Sequence, residues 1–193
     1  MRKFRLLVGT MGAVLLTVGS AFAASQGTLT TGTSEATADI NLTIPTMVKI
    51  TGVADINVTL TEAQSAAGIV EADTTQDICI YSNATSGAYD IKFTCTKGTG
   101  AGTDCVDGYK LTNGTDTIVY GVKVNDQTGT SGSVSAAYGT KVDGTGANQI
   151  DEDCASGGDS GSFAITVSKA ELQKAHAGNY EGTLHIFVYP DQG

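Results

Sequence analysis

Tyr89-Asp90-Ile91-Lys92-Phe93-Thr94-Cys95 sets an apolar side chain at every second position and a polar one between. In an extended chain successive side chains point to opposite faces, so this stretch predicts a strand with one buried face. Upstream, Asp77 to Ser82 repeats the pattern with Ile78 and Ile80 on one face. Asn83 to Gly87, between the two, has turn composition, so the pair is expected to form a hairpin.

The same alternation marks further strands on both sides. Gly98 to Asp107 is a glycine-rich loop, Tyr109 and Leu111 start a strand, and Asn113-Gly114 marks a tight turn. Ile118, Tyr120, Val122 and Val124 form the next strand; residues 126–161 are loop-rich, with a weak strand near Val134 to Tyr138. Phe163, Ile165 and Val167 follow. Ser168 and Glu171 have capping-box spacing for a short helix that Gly178 could end in a left-handed conformation. The last strand runs from Tyr180 to about Tyr189, with Leu184, Ile186 and Val188 toward the core. On the N-terminal side, Met47 to Ile50 and Ile56 to Leu60 read as short strands, and residues 61–76 as a loop with a helical turn. Before them, Ala36, Ala38, Ile40, Leu42 and Ile44 share one face, while Thr37, Asp39, Asn41 and Thr43 share the other. Pro45 stops that run, because proline has no amide hydrogen to give to a ladder. About nine short strands with frequent turns predict an all-β fold, a single immunoglobulin-like β-sandwich over residues 36–193 without internal repeats.

The ends and the composition narrow the function. Arg2, Lys3 and Arg5 precede an apolar run from Leu6 through Leu16, and Ser20-Ala21-Phe22-Ala23 supplies small residues. That layout predicts a secretory signal peptide over residues 1–23, followed by a flexible polar extension over residues 24–35. Removing 1–23 leaves eight basic against 20 acidic groups, a net charge of −12. An acidic surface repels phosphate, so nucleic acid is not an expected partner. Cys79, Cys95, Cys105 and Cys154 are even in number, which in an exported chain predicts two disulfides rather than zinc ligation, since no Cys-x-x-Cys pair occurs. Three pairings are open. Cys95–Cys105 with Cys79–Cys154 is favoured, because the first would close the glycine-rich excursion between neighbouring strands.

Three stretches in order carry a family resemblance: the exported start followed by alternation from Ala36 to Ile44; Cys79-Ile-Tyr-Ser-Asn83 followed by Gly87-Ala-Tyr-Asp-Ile91; and Leu172 with Ala177-Gly-Asn-Tyr-Glu-Gly-Thr-Leu184. Together they resemble pilus (fimbrial) subunits of chaperone–usher systems and their spore-coat-protein-U-like relatives. The resemblance implies a sandwich that lacks one strand and is completed by a donor strand from a neighbouring subunit, a strand-addition mode of recognition. It implies that residues 36–44 are the donor, with Ile40, Leu42 and Ile44 as its plugs. Its implied partners are copies of itself or related subunits, a periplasmic chaperone and an outer-membrane usher. Its implied location is the cell surface, a fimbrium or the extracellular space, reached through the periplasm. Two features depart from the family pattern: Pro190-Asp-Gln-Gly193 follows Tyr189, so a penultimate tyrosine is absent, and the candidate donor starts about a dozen residues after the expected cleavage site. The alternative architecture makes residues 36–44 the first strand of a self-complete sandwich. The alternative function is a monomeric secreted adhesive or glycan-binding module, although the chain has no tryptophan to stack on a sugar.

No enzyme, cofactor or metal is expected. Gly158-Asp159-Ser160-Gly161 matches a serine-protease nucleophile motif, but in that family the base and its orienting acid precede the serine, whereas His176 and His185 both follow it. A flexible polar loop is the favoured reading. Asp151, Glu152, Asp153 and Asp159 near Asn148 lack the spacing of an EF-hand, and a solvated acidic loop is preferred to a calcium site. Gly98, Gly100 and Gly102 form no dinucleotide fingerprint. His176 is placed at the helix end and His185 toward solvent or a neighbouring strand. The Asn-x-Thr triplets at Asn41, Asn57, Asn83 and Asn113 are expected by chance in so threonine-rich a chain.

Overall fold

The computed structural model describes residues 24–68, 74–98 and 102–191, so the expected signal peptide lies outside the described residues. The chain divides into two units, Met1–Ile44 and Pro45–Gly193. In the first, residues 24–44 are extended and belong to no sheet; an isolated antiparallel bridge joins Ser25 to Thr37 through two backbone hydrogen bonds of 2.9 and 3.0 Å. The strand expected over residues 36–44 is therefore absent from the chain's own ladders, and Ala36, Ala38, Ile40, Leu42 and Ile44 are exposed.

Among its described residues the second unit contains ten strands: β1 (Val48–Thr51), β2 (Gln76–Ser82), β3 (Tyr89–Lys97), β4 (Thr103–Asp104), β5 (Tyr109–Thr112), β6 (Thr117–Asn125), β7 (Val134–Ala136), β8 (Lys141–Gly144), β9 (Gly161–Thr166) and β10 (Gly182–Pro190). One sheet runs β1-β2-β9-β6-β5, with β7 also on β6; the other runs β10-β3-β4, with β8 also on β3. Every ladder is antiparallel. The two sheets meet through their apolar faces: Ile78 and Ile80 of β2, Val122 and Val124 of β6 and Phe163 of β9 face Ile91, Phe93 and Cys95 of β3 in one core. Phe93 and Phe163 lie 6.2 Å apart across the interface between the sheets. Phe93 is fully buried, so Phe93→Ala would forfeit its transfer energy and leave a cavity, roughly 3–5 kcal/mol together. The chain is an all-β sandwich.

The hairpin expected from β2 and β3 does not form. The two strands belong to opposite sheets and face each other across the core. Residues 83–88 carry the chain from one sheet to the other through a tight turn at Thr85–Gly87. Gly87 has φ of 63°, and a side-chain carbon there would sit 2.6 Å from the Ala147 carbonyl oxygen, so both handedness and space demand glycine. Buried Ser82 secures the crossing by donating to the Ala88 carbonyl at 2.7 Å and accepting from the Ala84 amide.

Other expectations shift at element ends. In the expected strand Ile56 to Leu60, Ile56 and Val58 are half-buried but Leu60 is exposed, and the segment joins no ladder among the described residues. β8 arises inside the stretch read as loop. The expected helical turn is α1 (Glu62–Ala67), closed by a reciprocal capping box between Thr61 and Gln64. The second helix is α2 (Lys169–Lys174), capped by Ser168. Only half of its expected capping box exists, because the Glu171 carboxylate turns away to accept from the Val119 amide at 3.1 Å and to pair with Lys174. The helix stops at Ala175, not through a left-handed Gly178.

Two disulfides staple the sandwich. Cys79–Cys154 ties β2 to the loop before β9, and Cys95–Cys105 ties β3 to the segment between β4 and β5, with Cα separations of 5.7 and 5.4 Å.

Three core tyrosines carry a pH consequence. Burial, then the charge of Asp126, pushes the Tyr89 phenol up to about 12; burial, then Tyr138, does the same for Tyr109. Tyr120 is raised further, first by burial and then by Tyr109 and Tyr138. A raised phenol means the unfolded chain loses its proton first, so the folded form is increasingly penalised once the pH exceeds the ordinary value. The stability these groups hold is complete below about pH 10 and disappears as the pH climbs through about 12. Urea midpoints measured from pH 8 to 12 should stay level and then fall steeply above 10.

Candidate functional site

The core is finished on one side of the sandwich and unfinished on the other. Core-facing residues of β3, Ile91, Phe93 and Cys95, are at most 1% exposed. Their neighbours on β10, Leu184, Ile186 and Val188, also point at the core but remain half-buried. The cause is topological. β10 pairs along its whole length with β3 on one side, and among the described residues no strand pairs with its other edge beyond a single bridge. That bridge joins Glu181, just before β10, to Thr112 of β5, and closes only the N-terminal end of the edge. Gly182 permits this junction, since a side-chain carbon there would lie 3.0–3.1 Å from Leu111, the Lys110 carbonyl and the Thr96 carbonyl.

Beside the free edge runs a cleft of about 760 Å³. One wall is the start of β10, including Leu184 and Ile186; the other is the unpaired segment 53–59 that follows β1. Leu111, Tyr120, Phe163 and Ile165 also line it. Ile56 and Val58 are half-buried, the residues flanking each are exposed, and Gln76 anchors the segment by accepting from the Ala54 amide at 3.0 Å. β1 forms the matching edge of the other sheet, and all four of its residues are likewise half-buried. The arrangement is a slot with backbone groups of the start of β10 along one wall and apolar side chains along its inner side. Such an edge invites another extended segment. A strand added there would use main-chain hydrogen bonds for affinity and every second side chain for fit.

The chain entering β1 is held firmly. The Asn83 side chain accepts from the Met47 amide at 2.7 Å and donates to the Pro45 carbonyl at 3.0 Å. Upstream, the alternating residues proposed as plugs present large apolar surfaces: Ile40, Leu42 and Ile44 are 92%, 81% and 68% exposed.

Motifs that suggested catalysis have structural roles. The Ser160 hydroxyl donates to the Ile80 carbonyl at 2.7 Å and accepts from the Ile80 amide at 3.0 Å. The stretch expected to be a flexible polar loop is therefore the pinned entrance of β9. His176 pairs with Asp116 at 2.7 Å, just beyond α2, and His185 of β10 contacts Thr96 on neighbouring β3. In the acidic loop, Asn148 accepts from the Ile150 and Asp151 amides, Asp151 accepts from the Ser156 amide, and Glu152 pairs with Lys49. Among the described residues no grouping of His, Cys, Asp and Glu is arranged to hold a metal ion. Ser160→Ala would lose both hydrogen bonds to β2, a cost of about 1–2 kcal/mol detectable as a lower urea midpoint.

The fold and its open edge define the class as an all-β sandwich with an incompletely covered core. No family model and no curated protein matches the sequence. Among solved structures the chain is similar to one described as "Chaperone-tip adhesin complex is vital for synergistic activation of CFA/I fimbriae biogenesis", at 14% identity and a TM-score of 0.45. The match covers 76% of this chain and 42% of that one, so the chain spans less than half the length of its structural neighbour.

Proposed function

We propose that the chain is a structural subunit of a bacterial fimbria or similar surface fibre, assembling by donor-strand complementation. Residues 36–44 of one copy enter the slot beside β10 of another. One observation carries this reading: a nine-residue edge that is unpaired among the described residues, with half-buried Leu184, Ile186 and Val188, coexists with a nine-residue alternating segment whose Ile40, Leu42 and Ile44 are exposed. Each surface lacks what the other supplies. Nine extended residues span about 30 Å, the length of β10 itself. Burying each large aliphatic plug would contribute about 1.5–3 kcal/mol, with main-chain pairing in addition.

The same physics accounts for the other partners. An uncovered edge beside an apolar slot pairs with whatever extended chain it meets, so the cell must cover it until assembly. A periplasmic chaperone supplies that cover and an outer-membrane usher the place of exchange. On this reading residues 1–23 direct export, and the product stands on the cell surface.

The test compares chains beginning at Ala24 and at Thr46, each expressed in a periplasm with a fimbrial chaperone available. Denaturant-resistant ladders should form only from the longer chain. A longer chain that stays monomeric, while the shorter one unfolds, would instead make residues 36–44 part of their own sandwich.

A further inference from the structure

The outward face of β10 carries a feature that the slot does not use. Lys92 stands on β3 directly opposite Phe187 of β10. Its ammonium nitrogen does not point into solvent above β3. It leans over β10, 5.0 Å from the centre of the Phe187 ring and 5.4 Å from that of Tyr189. The two rings stack 24° from parallel at 6.5 Å, so they form a continuous platform under the charge. Lys141 also overlies Tyr189, at 4.6 Å, but Asp90 holds it in an ion pair of 2.6 Å. Among the described residues no carboxylate pairs with Lys92. In a chain with 20 acidic groups, this leaves the Lys92 charge poised over β10.

A strand added to β10 would lie about 4.8 Å beyond it, and its outward side chains would stand beside Phe187 and Tyr189. In segment 36–44 the inward positions are Ala36, Ala38, Ile40, Leu42 and Ile44, and the outward ones are Thr37, Asp39, Asn41 and Thr43. Asp39 carries the only charge in the segment, it falls on the outward face, and it is exposed. Resting on the donor-strand reading, we propose that Lys92, seated on the Phe187–Tyr189 platform, receives Asp39 of a second copy and so fixes the register of the incoming strand.

The physical need is specific. A one-residue slip would turn the plugs outward, and the apolar slot rejects it. A two-residue slip keeps the apolar residues inward and merely exchanges one plug for the next, so the slot discriminates it weakly. A single charge on the outer face is sensitive to that slip, because it moves by almost 7 Å, roughly two residue rises.

The experiment titrates a fluorescently labelled synthetic peptide of residues 34–44 into the full exported chain, isolated as monomer, and follows anisotropy. Wild-type and Lys92→Glu chains are each tested with the wild-type peptide and with one carrying Asp39→Lys. Each single reversal should weaken binding about fivefold, and the doubly reversed pair should recover most of that loss. Raising the salt from 0.05 to 0.5 M, values chosen for the test, should shrink the differences. Tight binding that ignores all four charge combinations would overturn the register contact while leaving the donor-strand reading intact. A wild-type peptide that does not bind at all would overturn both. Asp39 is exposed and Lys92 half-buried, and unchanged melting of the variant chain separates lost recognition from lost folding.

Discussion

Ile40→Asp combined with Leu42→Asp should abolish fibre assembly while leaving the melting temperature of the monomer unchanged. Both side chains are more than four-fifths exposed in the isolated chain, so the fold loses nothing. In the assembled state each would lie in an apolar slot. Losing two aliphatic plugs removes about 2 kcal/mol apiece, and forcing carboxylates into their places costs several more. Since each 1.4 kcal/mol is a factor of ten, assembly should weaken by at least about a thousandfold. The variant also has a directional signature. It can still accept a strand through its own β10 edge but cannot donate one. Mixed with wild-type chains it should cap growing fibres, shortening the ladder in proportion to its fraction. Wild-type ladder lengths in such a mixture would contradict the account.

The second large effect concerns stability. Cys79→Ser with Cys154→Ser should cost about 4 kcal/mol, because the bridge closes 75 residues of chain. Cys95→Ser with Cys105→Ser closes a separation of 10 and should cost nearer 2–3 kcal/mol. The larger loss is a substantial part of the 5–15 kcal/mol that holds a typical domain. It also removes the tie between β2 and the loop that runs along its edge, where Asn148 bridges Tyr81. Urea unfolding of the two double variants against wild type checks the ranking; equal losses would mean that chain closure is not the dominant contribution.

Strand identity was legible in the sequence because burial on one face writes a period of two into it. Tyr89 to Cys95, Ile118 to Val124 and Leu184 to Val188 all follow that rule, and each is a strand in the structure. Partnership was not legible. Ile78 and Ile80 would show the same alternation whether β3 lay beside β2 or across the core from it, so the apparent hairpin was a contact between sheets. The left-handed Gly87 is the local sign of that crossing, while the close approach that also demands glycine there comes from Ala147, far along the chain. Short β8 leaves no period of two in the sequence, because only Val142 of its four residues is an apolar aliphatic.

The candidate site was legible in part. The alternating segment 36–44 announces apolar surface, and its exposure is what the structure adds. Ile56 and Val58 carry a strand pattern without a strand, because the position beside them is a slot rather than a ladder. The incompleteness of the core could not be read from composition. It becomes visible only when Leu184, Ile186 and Val188 are compared with Ile91, Phe93 and Cys95, which share their chemistry but have neighbours on both sides. The Ser160 motif misled for the opposite reason, since a serine locked to a neighbouring backbone by two hydrogen bonds has the same sequence as a free nucleophile.

Hydrogen exchange on monomer and assembled fibre tests most directly whether one copy completes another. Amides of residues 36–44 and along 183–189 should exchange freely or moderately in the monomer and become strongly protected together on assembly. Fibres in which residues 36–44 continue to exchange as fast as an unfolded chain, while protection appears on some other surface, would contradict the account.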